Sequence, residues 1–133
     1  MTTVGETLPA REVGPVTATD IVRYQGASGD FHPLHHDDAF ARAAGYPGVF
    51  AVGMLHAGYL ASYCASAFGA ERVRQFRVRF REQVWPGDTL TLSGTVTGVE
   101  PIASGDLVTV DVVATRQTGG VAATATARLE RRN

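Results

Sequence analysis

The stretch GVFAVGMLHAGYLASYCASAFGA, residues 48–70, is the longest apolar run of the chain, and it decides how the rest must fold. Its segment from about Val52 to Phe68 is apolar nearly all round and rich in small residues, which predicts a central helix that other elements approach closely. His56 interrupts the run, so we interpret it as a buried helix rather than a membrane span. Cys64, in the same run, is expected to be a small buried hydrophobe.

After this helix the periodicity of the sequence changes to two. Residues 73–80, VRQFRVRF, alternate in direction, which indicates a half-buried strand. One side carries Val73, Gln75, Arg77 and Arg79, and the other carries Arg74, Phe76, Val78 and Phe80. Further strands are predicted in WPGDTLTLSGTVTGV, DLVTVDVVATRQ and VAATATARLER, the last two joined as a hairpin at Thr118–Gly120. We therefore expect a meander of about four antiparallel strands, which can bury the central helix only by curling around it.

The N-terminal part predicts short elements. An extended segment is predicted near residues 8–16, and Thr17 with Asp20 predicts a capping box for a helix that ends at Gly26. Asp37 can cap a second short helix that Gly45 stops. With 133 residues and no repeat or linker, the chain is expected to form a single domain over residues 1–133.

Composition excludes several classes of function. A formal net charge of −1 gives no electrostatic basis for binding nucleic acid, and the arginines at 72, 74, 77, 79 and 81 form too short a cluster to change this. One cysteine rules out an internal disulfide framework, and no charged leader precedes an apolar segment. We expect a cytoplasmic protein that does not reside in a membrane.

Residues 27–38, ASGDFHPLHHDD, hold three histidines and three aspartates and are called the His/Asp loop below. These residues could bind zinc, although Pro33 prevents a regular helix across them, or they could be a solvated polar loop. A third interpretation is a proton-transfer pair. Asp30 and His35, with Gly29 before them and Pro33 between them, suit a rigid turn that grips one water molecule from two sides.

The segment YQGASGDFHPLHHDDAFARAAGYPGVFAVGML, residues 24–55, resembles the signature of MaoC-like hydratases and dehydratases. That signature is S-G-D-x-N-P-[LI]-H-x-[DE], followed about 15 residues later by a helix that begins G-M-L. FRVRFREQVWPGDTLTLSGTV, residues 76–96, also looks like the family's strand, turn and next strand. The resemblance implies an α+β hotdog fold, in which a curved antiparallel sheet wraps around one long central helix.

The same resemblance implies the chemistry. Asp30 and His35 would activate the water that adds to a trans-2-enoyl thioester and gives an (R)-3-hydroxyacyl thioester, and the reverse reaction is a dehydration. The backbone N–H of Gly53, at a helix start, would stabilise the thioester oxygen, unless Gly53 serves only close packing. His32 stands where the family has Asn. No cofactor and no metal is implied.

Substrate-binding residues are proposed around this centre: His32, Phe31, Phe50, Met54 and His56. A packed helix histidine is the alternative for His56, and His36 is interpreted as mostly structural. The substrate would be an acyl-CoA or acyl carrier protein thioester, whose phosphates would suit the strand arginines, although a solvated strand face is the alternative.

The family resemblance also implies a dimer, of like chains or with a second hotdog chain. A non-catalytic hotdog subunit is the second hypothesis for the function, because of His32. An acyl-thioesterase is the third, although the catalytic carboxylate of hotdog thioesterases ordinarily lies on the central helix, and this helix has none.

Overall fold

The computed structural model of the chain describes residues 2–132. Its strands are β1 (Thr7–Val13), β2 (Val73–Phe80), β3 (Leu90–Ile102), β4 (Gly105–Arg116) and β5 (Val121–Arg132). Its α-helices are α1 (Ala18–Ser28), α2 (Asp38–Ala43) and α3 (Gly53–Phe68), and short 3-10 turns lie at Pro33–His35 and Ala70–Arg72.

All five strands pair antiparallel in one sheet with the order β1-β3-β4-β5-β2. The predicted β4–β5 hairpin is confirmed. The predicted four-strand meander is wrong in one connection, because only β3, β4 and β5 follow one another. β2 lies beside β5 at one edge, and β1 closes the other edge. Alternation along a strand identifies which face is buried, but it does not say which neighbour the strand pairs with.

The long helix α3 lies against the sheet as predicted. The helix contacts β4 and β5 in the middle of the sheet and also the two edge strands, β1 and β2. The sheet therefore curves around α3. Leu60 and Cys64 of α3 are fully enclosed, together with Leu92 and Val110 of the sheet. The helix is not covered all round, since an exposed stripe at positions 54, 58, 62 and 66 runs along its outer side.

The short helices begin where their caps predict. Thr17 and Asp20 make both hydrogen bonds of a capping box at the start of α1. Asp37 caps α2 by accepting a hydrogen bond from the N–H of Phe40 at 3.1 Å. The predicted end of α1 at Gly26 is wrong, because the helix continues to Ser28 and stops at Gly29. Within residues 2–132, no helix has the length and hydropathy needed to cross a membrane.

Candidate active site

The His/Asp loop starts at a glycine that reverses the chain. Gly29 has φ +75°, in the left-handed region that favours glycine, and its N–H donates to the carbonyl of Gln25 at 2.9 Å. The carboxylate of Asp30 follows immediately, at an exposed position. One of its oxygens accepts a hydrogen bond from the N–H of His32 at 3.2 Å, which leaves the other without a protein partner in the described part of the chain.

His32 has a backbone role that explains its place in the motif. Its Nδ1 accepts a hydrogen bond from the N–H of Leu34 at 3.2 Å and so caps the 3-10 turn Pro33–His35. Pro33 occupies the first position of this turn, where no N–H donor is needed. The His32 side chain thus supplies one acceptor, which is also what the amide oxygen of an Asn would supply here.

His35 is oriented by a backbone carbonyl. Its Nδ1 lies 2.7 Å from the carbonyl oxygen of Phe50. Because a carbonyl oxygen only accepts, Nδ1 must carry the proton and the neutral ring then has its lone pair on Nε2. His35 is half-buried, and its ring meets the ring of Phe50 edge to face at 5.2 Å between centroids. The arrangement gives the imidazole a fixed tautomer with Nε2 as the basic atom.

Gln25 supports the whole loop from beneath, a role that the sequence analysis missed. This α1 side chain is only 2% exposed. Its Nε2 donates to the carbonyls of Asp30 at 3.0 Å and of His32 at 3.2 Å, and its Oε1 lies 3.1 Å from Nδ1 of His36. The available signal was spacing, because Gln25 lies four residues after the buried Ile21 on the same helix face.

The loop is attached to the start of α3 through Phe50. In addition to the His35 contact, the N–H of Phe50 donates to the carbonyl of Leu34 at 3.3 Å. The N–H of Ala51 donates to the carbonyl of Val84 at 2.8 Å, which ties the same segment to the connection between β2 and β3. These backbone bonds place the two halves of the sequence motif, around His35 and around Gly53, next to each other.

Gly53 is the first residue of α3, so its N–H has no acceptor within the helix. A cavity of about 210 Å³ lies at this helix start. The residues lining it are Phe50, Ala51, Gly53, His56, Phe80, Arg81, Glu82 and Gln83. A Cβ added at Gly53 would lie 3.1 to 3.3 Å from carbons of the Phe80 ring, so the glycine allows a close approach here.

The structure separates the predicted site residues into two groups. Phe50, Gly53 and His56 line the cavity. Asp30, His35 and His32 lie on the His/Asp loop outside that lining, joined to it through Phe50. The side chains of Phe31 and Met54 are 64% and 52% exposed and do not line it.

His56 is the most deeply buried of the predicted residues. It is 2% exposed, and burial lowers the pKa of its imidazole to about 4, so the ring is neutral at physiological pH. Its Nδ1 is enclosed and has no hydrogen-bond partner in the described residues. Its ring meets the Phe80 ring edge to face, with centroids 5.7 Å apart.

The strand arginines differ from one another in their partners. Arg72 pairs with Glu71, and Arg74 pairs with Glu130. The arginines at 77, 79 and 81 have no acidic partner within residues 2–132. Arg77 and Arg79 line a second concavity of about 370 Å³ on the outer face of β2 and β5, together with Gln75 and residues 124–126. This concavity is separate from the cavity at the start of α3.

Two further expectations concern metal and thiol chemistry. In the described part of the chain, no three or more His, Cys, Asp or Glu side chains group in a way that could hold a metal ion. Cys64 is buried as predicted, and burial raises the pKa of its thiol to about 11.

The chain is similar in sequence to a known protein family and to a characterised enzyme. A family model described as MaoC like domain matches residues 1–118. The (R)-specific enoyl-CoA hydratase of Rhodospirillum rubrum is 33% identical over 89 residues, which cover 65% of this chain and 61% of that hydratase. The match thus spans less than two thirds of this curated relative.

Solved structures cover nearly the whole chain. A chain of the ChsH1-ChsH2 complex from Mycobacterium tuberculosis superposes with a TM-score of 0.87 and 32% identity, over 99% of this chain and 100% of that one. The (R)-hydratase from A. caviae involved in PHA biosynthesis has a TM-score of 0.85 over 97% of this chain and 96% of that one, and its 23% identity makes it a likeness of fold. The predicted α+β hotdog fold is confirmed.

Proposed function

The chain belongs to the family of MaoC-like domains, and from that premise we propose that it interconverts trans-2-enoyl and (R)-3-hydroxyacyl thioesters. The observation that carries the proposal is the bond between His35 Nδ1 and the Phe50 carbonyl. This bond leaves the lone pair on Nε2, the protonation that a general base requires.

In the hydration direction, Nε2 of His35 takes a proton from water while the water oxygen forms a bond to carbon 3 of the enoyl group. The free oxygen of Asp30 accepts the second O–H of the same water and so orients it. Electron density moves from the double bond to the thioester oxygen, where the N–H of Gly53 and the α3 dipole stabilise the negative charge. The proton then returns from His35 to carbon 2, so that one water has been added and no redox change has occurred.

The substrate is proposed to be an acyl thioester of coenzyme A or acyl carrier protein. Arg77 and Arg79 support this choice, because neither has an acidic partner in the described residues and both line one concavity. Guanidinium groups bind phosphate oxygens in pairs of hydrogen bonds, and both carriers present phosphate.

A second candidate is a subunit that needs a partner for activity. It is favoured by the exposure of Phe31, 64%, beside Asp30, and by the similarity to a chain of the two-component ChsH1-ChsH2 complex. We propose an assembly of at least two hotdog chains, either two copies of this chain or one copy with a second protein. Light scattering of the purified protein measures which of these forms in the absence of a partner.

Hydration of crotonyl-CoA, followed as loss of the enoyl absorbance, tests the proposed reaction. Asp30→Asn should lower the rate at least about 10²-fold, the usual loss when an acid or base is removed. Glu12→Gln, an exposed carboxylate on β1, is the matched control and should leave the rate unchanged. A wild-type rate in Asp30→Asn would refute the assignment of the pair, and release of free thiol during turnover would indicate a thioesterase instead.

A further inference from the structure

The cavity at the start of α3 contains a polar group whose presence the proposed reaction does not explain. Gly53 and His56 are three residues apart on α3 and line the same cavity, about one helical turn from each other. The Phe80 ring spans both, since it lies against Gly53 and meets the His56 ring edge to face. A chain that extends from the N–H of Gly53 along the helix therefore reaches His56.

Leaving an imidazole nitrogen without a partner in a buried position is costly. The Nδ1 of His56 is enclosed and makes no hydrogen bond with any group of residues 2–132. A proton on Nδ1 would be a buried donor with no acceptor, so the neutral ring is better accommodated with its proton on Nε2. Nε2 also has no partner among the residues that the structure describes, and because His56 lines the cavity we infer that this N–H is directed toward it.

Packing alone does not account for this histidine. A leucine of similar volume would fill the space beside Phe80 without an unsatisfied nitrogen, and buried polar groups in proteins nearly always have a partner. No partner for Nε2 lies within residues 2–132. An occupant of the cavity that brings an oxygen atom to Nε2 would give the ring one hydrogen bond, while the enclosed Nδ1 would remain an unpaired acceptor.

We propose that this cavity selects acyl thioesters that carry an oxygen atom, as a hydroxyl or oxo group, on the acyl chain beyond carbon 3, and that His56 donates a hydrogen bond to that oxygen. The inference rests on the proposed function in one respect, namely that the thioester carbonyl lies at the N–H of Gly53. An unsubstituted hydrocarbon chain would leave Nε2 unpaired.

Binding is measured separately from turnover with saturated thioesters, which cannot be hydrated. Isothermal titration compares hexanoyl-CoA with 4-oxohexanoyl-CoA and 5-oxohexanoyl-CoA. The wild type should bind at least one oxo compound about tenfold more tightly, a gain within the range of one hydrogen bond. His56→Leu should remove the preference, and His56→Gln, which keeps an N–H donor, should retain part of it.

Ser62→Ala, on the exposed side of α3, is the control and should keep the wild-type preference. Equal affinity of the wild type for all three thioesters, together with normal crotonyl-CoA hydration, would overturn this inference and leave the proposed function intact. A clear preference for an oxo compound without any hydration of crotonyl-CoA would support this inference and overturn the proposed function. Failure to bind any of the thioesters would contradict both.

Discussion

Replacing Gln25 by alanine should separate the support of the His/Asp loop from its chemistry. The substitution removes an amide that makes two hydrogen bonds to the carbonyls of Asp30 and His32 and one to His36. It leaves the helix backbone in place, because alanine favours helix. The loop therefore loses its contacts to α1 while both candidate catalytic side chains remain.

The size of the effect follows from these contacts. Three hydrogen bonds at about 0.5 to 1.5 kcal/mol each sum to about 1.5 to 4.5 kcal/mol. The loop is largely exposed, so water can reach the freed carbonyls, and we expect a loss in the lower half of this range, about 2 kcal/mol. For a chain of this size that corresponds to a fall in melting temperature of about 8 °C.

Urea denaturation and crotonyl-CoA kinetics test the two effects together. Val96→Ala, a buried change on β3 remote from the loop, should destabilise the fold to a comparable extent and leave kcat unchanged. Gln25→Ala should lower kcat about tenfold at a temperature where both variants are folded. Gln25→Glu, which cannot donate to the two carbonyls, should behave like the alanine variant. The reasoning would be refuted if the Gln25→Ala protein kept the wild-type kcat and lost less than about 0.5 kcal/mol of unfolding free energy.

Three further outcomes are expected. His32→Asn should keep both stability and kcat, since its amide oxygen can accept the Leu34 N–H, whereas His32→Ala should lose about 1 kcal/mol in denaturant titrations. Gly53→Ala should lower kcat/KM at least about tenfold by displacing Phe80, whereas Gly58→Ala, on the same helix with open space around it, should keep kcat/KM and gain up to about 1 kcal/mol; equal kinetics of the two variants would count against a role for Gly53. Burial alone would raise the pKa of Asp88, but hydrogen bonds from Arg116, the Trp85 N–H and Gln117 lower it below its ordinary value of 3.8. The stability from Asp88 is therefore present above about pH 4 and lost as the pH falls below it, so Asp88→Asn should flatten the acid limb of a stability-versus-pH curve.

The sequence predicted local features better than long-range ones. The span of α3 was predicted to within one residue, because its apolar run begins and ends beside glycines. The position of β2 next to β5 was missed, since strand pairing depends on the path of the connection between β2 and β3 and not on the alternation within either strand. The end of α1 was placed at Gly26, two residues before its actual end at Ser28, because the sequence does not show that only Gly29, and not Gly26, has a positive φ.

The candidate site was predictable where side chains define it and not where the backbone does. The family signature pointed to Asp30, His35 and Gly53. The carbonyl of Phe50 that orients His35 belongs to the backbone, so no residue type at position 50 reveals it. Gln25 could have been noticed as a polar residue on the buried face of α1, but its two carbonyl partners become apparent only when the chain has turned at Gly29.

The cap formed by His32 has a consequence for how such motifs are written. The turn at Pro33–His35 requires a lone pair within reach of the Leu34 N–H, and His Nδ1 supplies it as well as an amide, carboxylate or hydroxyl oxygen can. A search pattern that fixes Asn at this position would discard this chain although its turn is capped by a side-chain acceptor. A pattern that permits Asn, Asp, Ser, Thr or His at this position would retain such chains, and their different side chains would then be a source of variation next to the candidate pair Asp30 and His35.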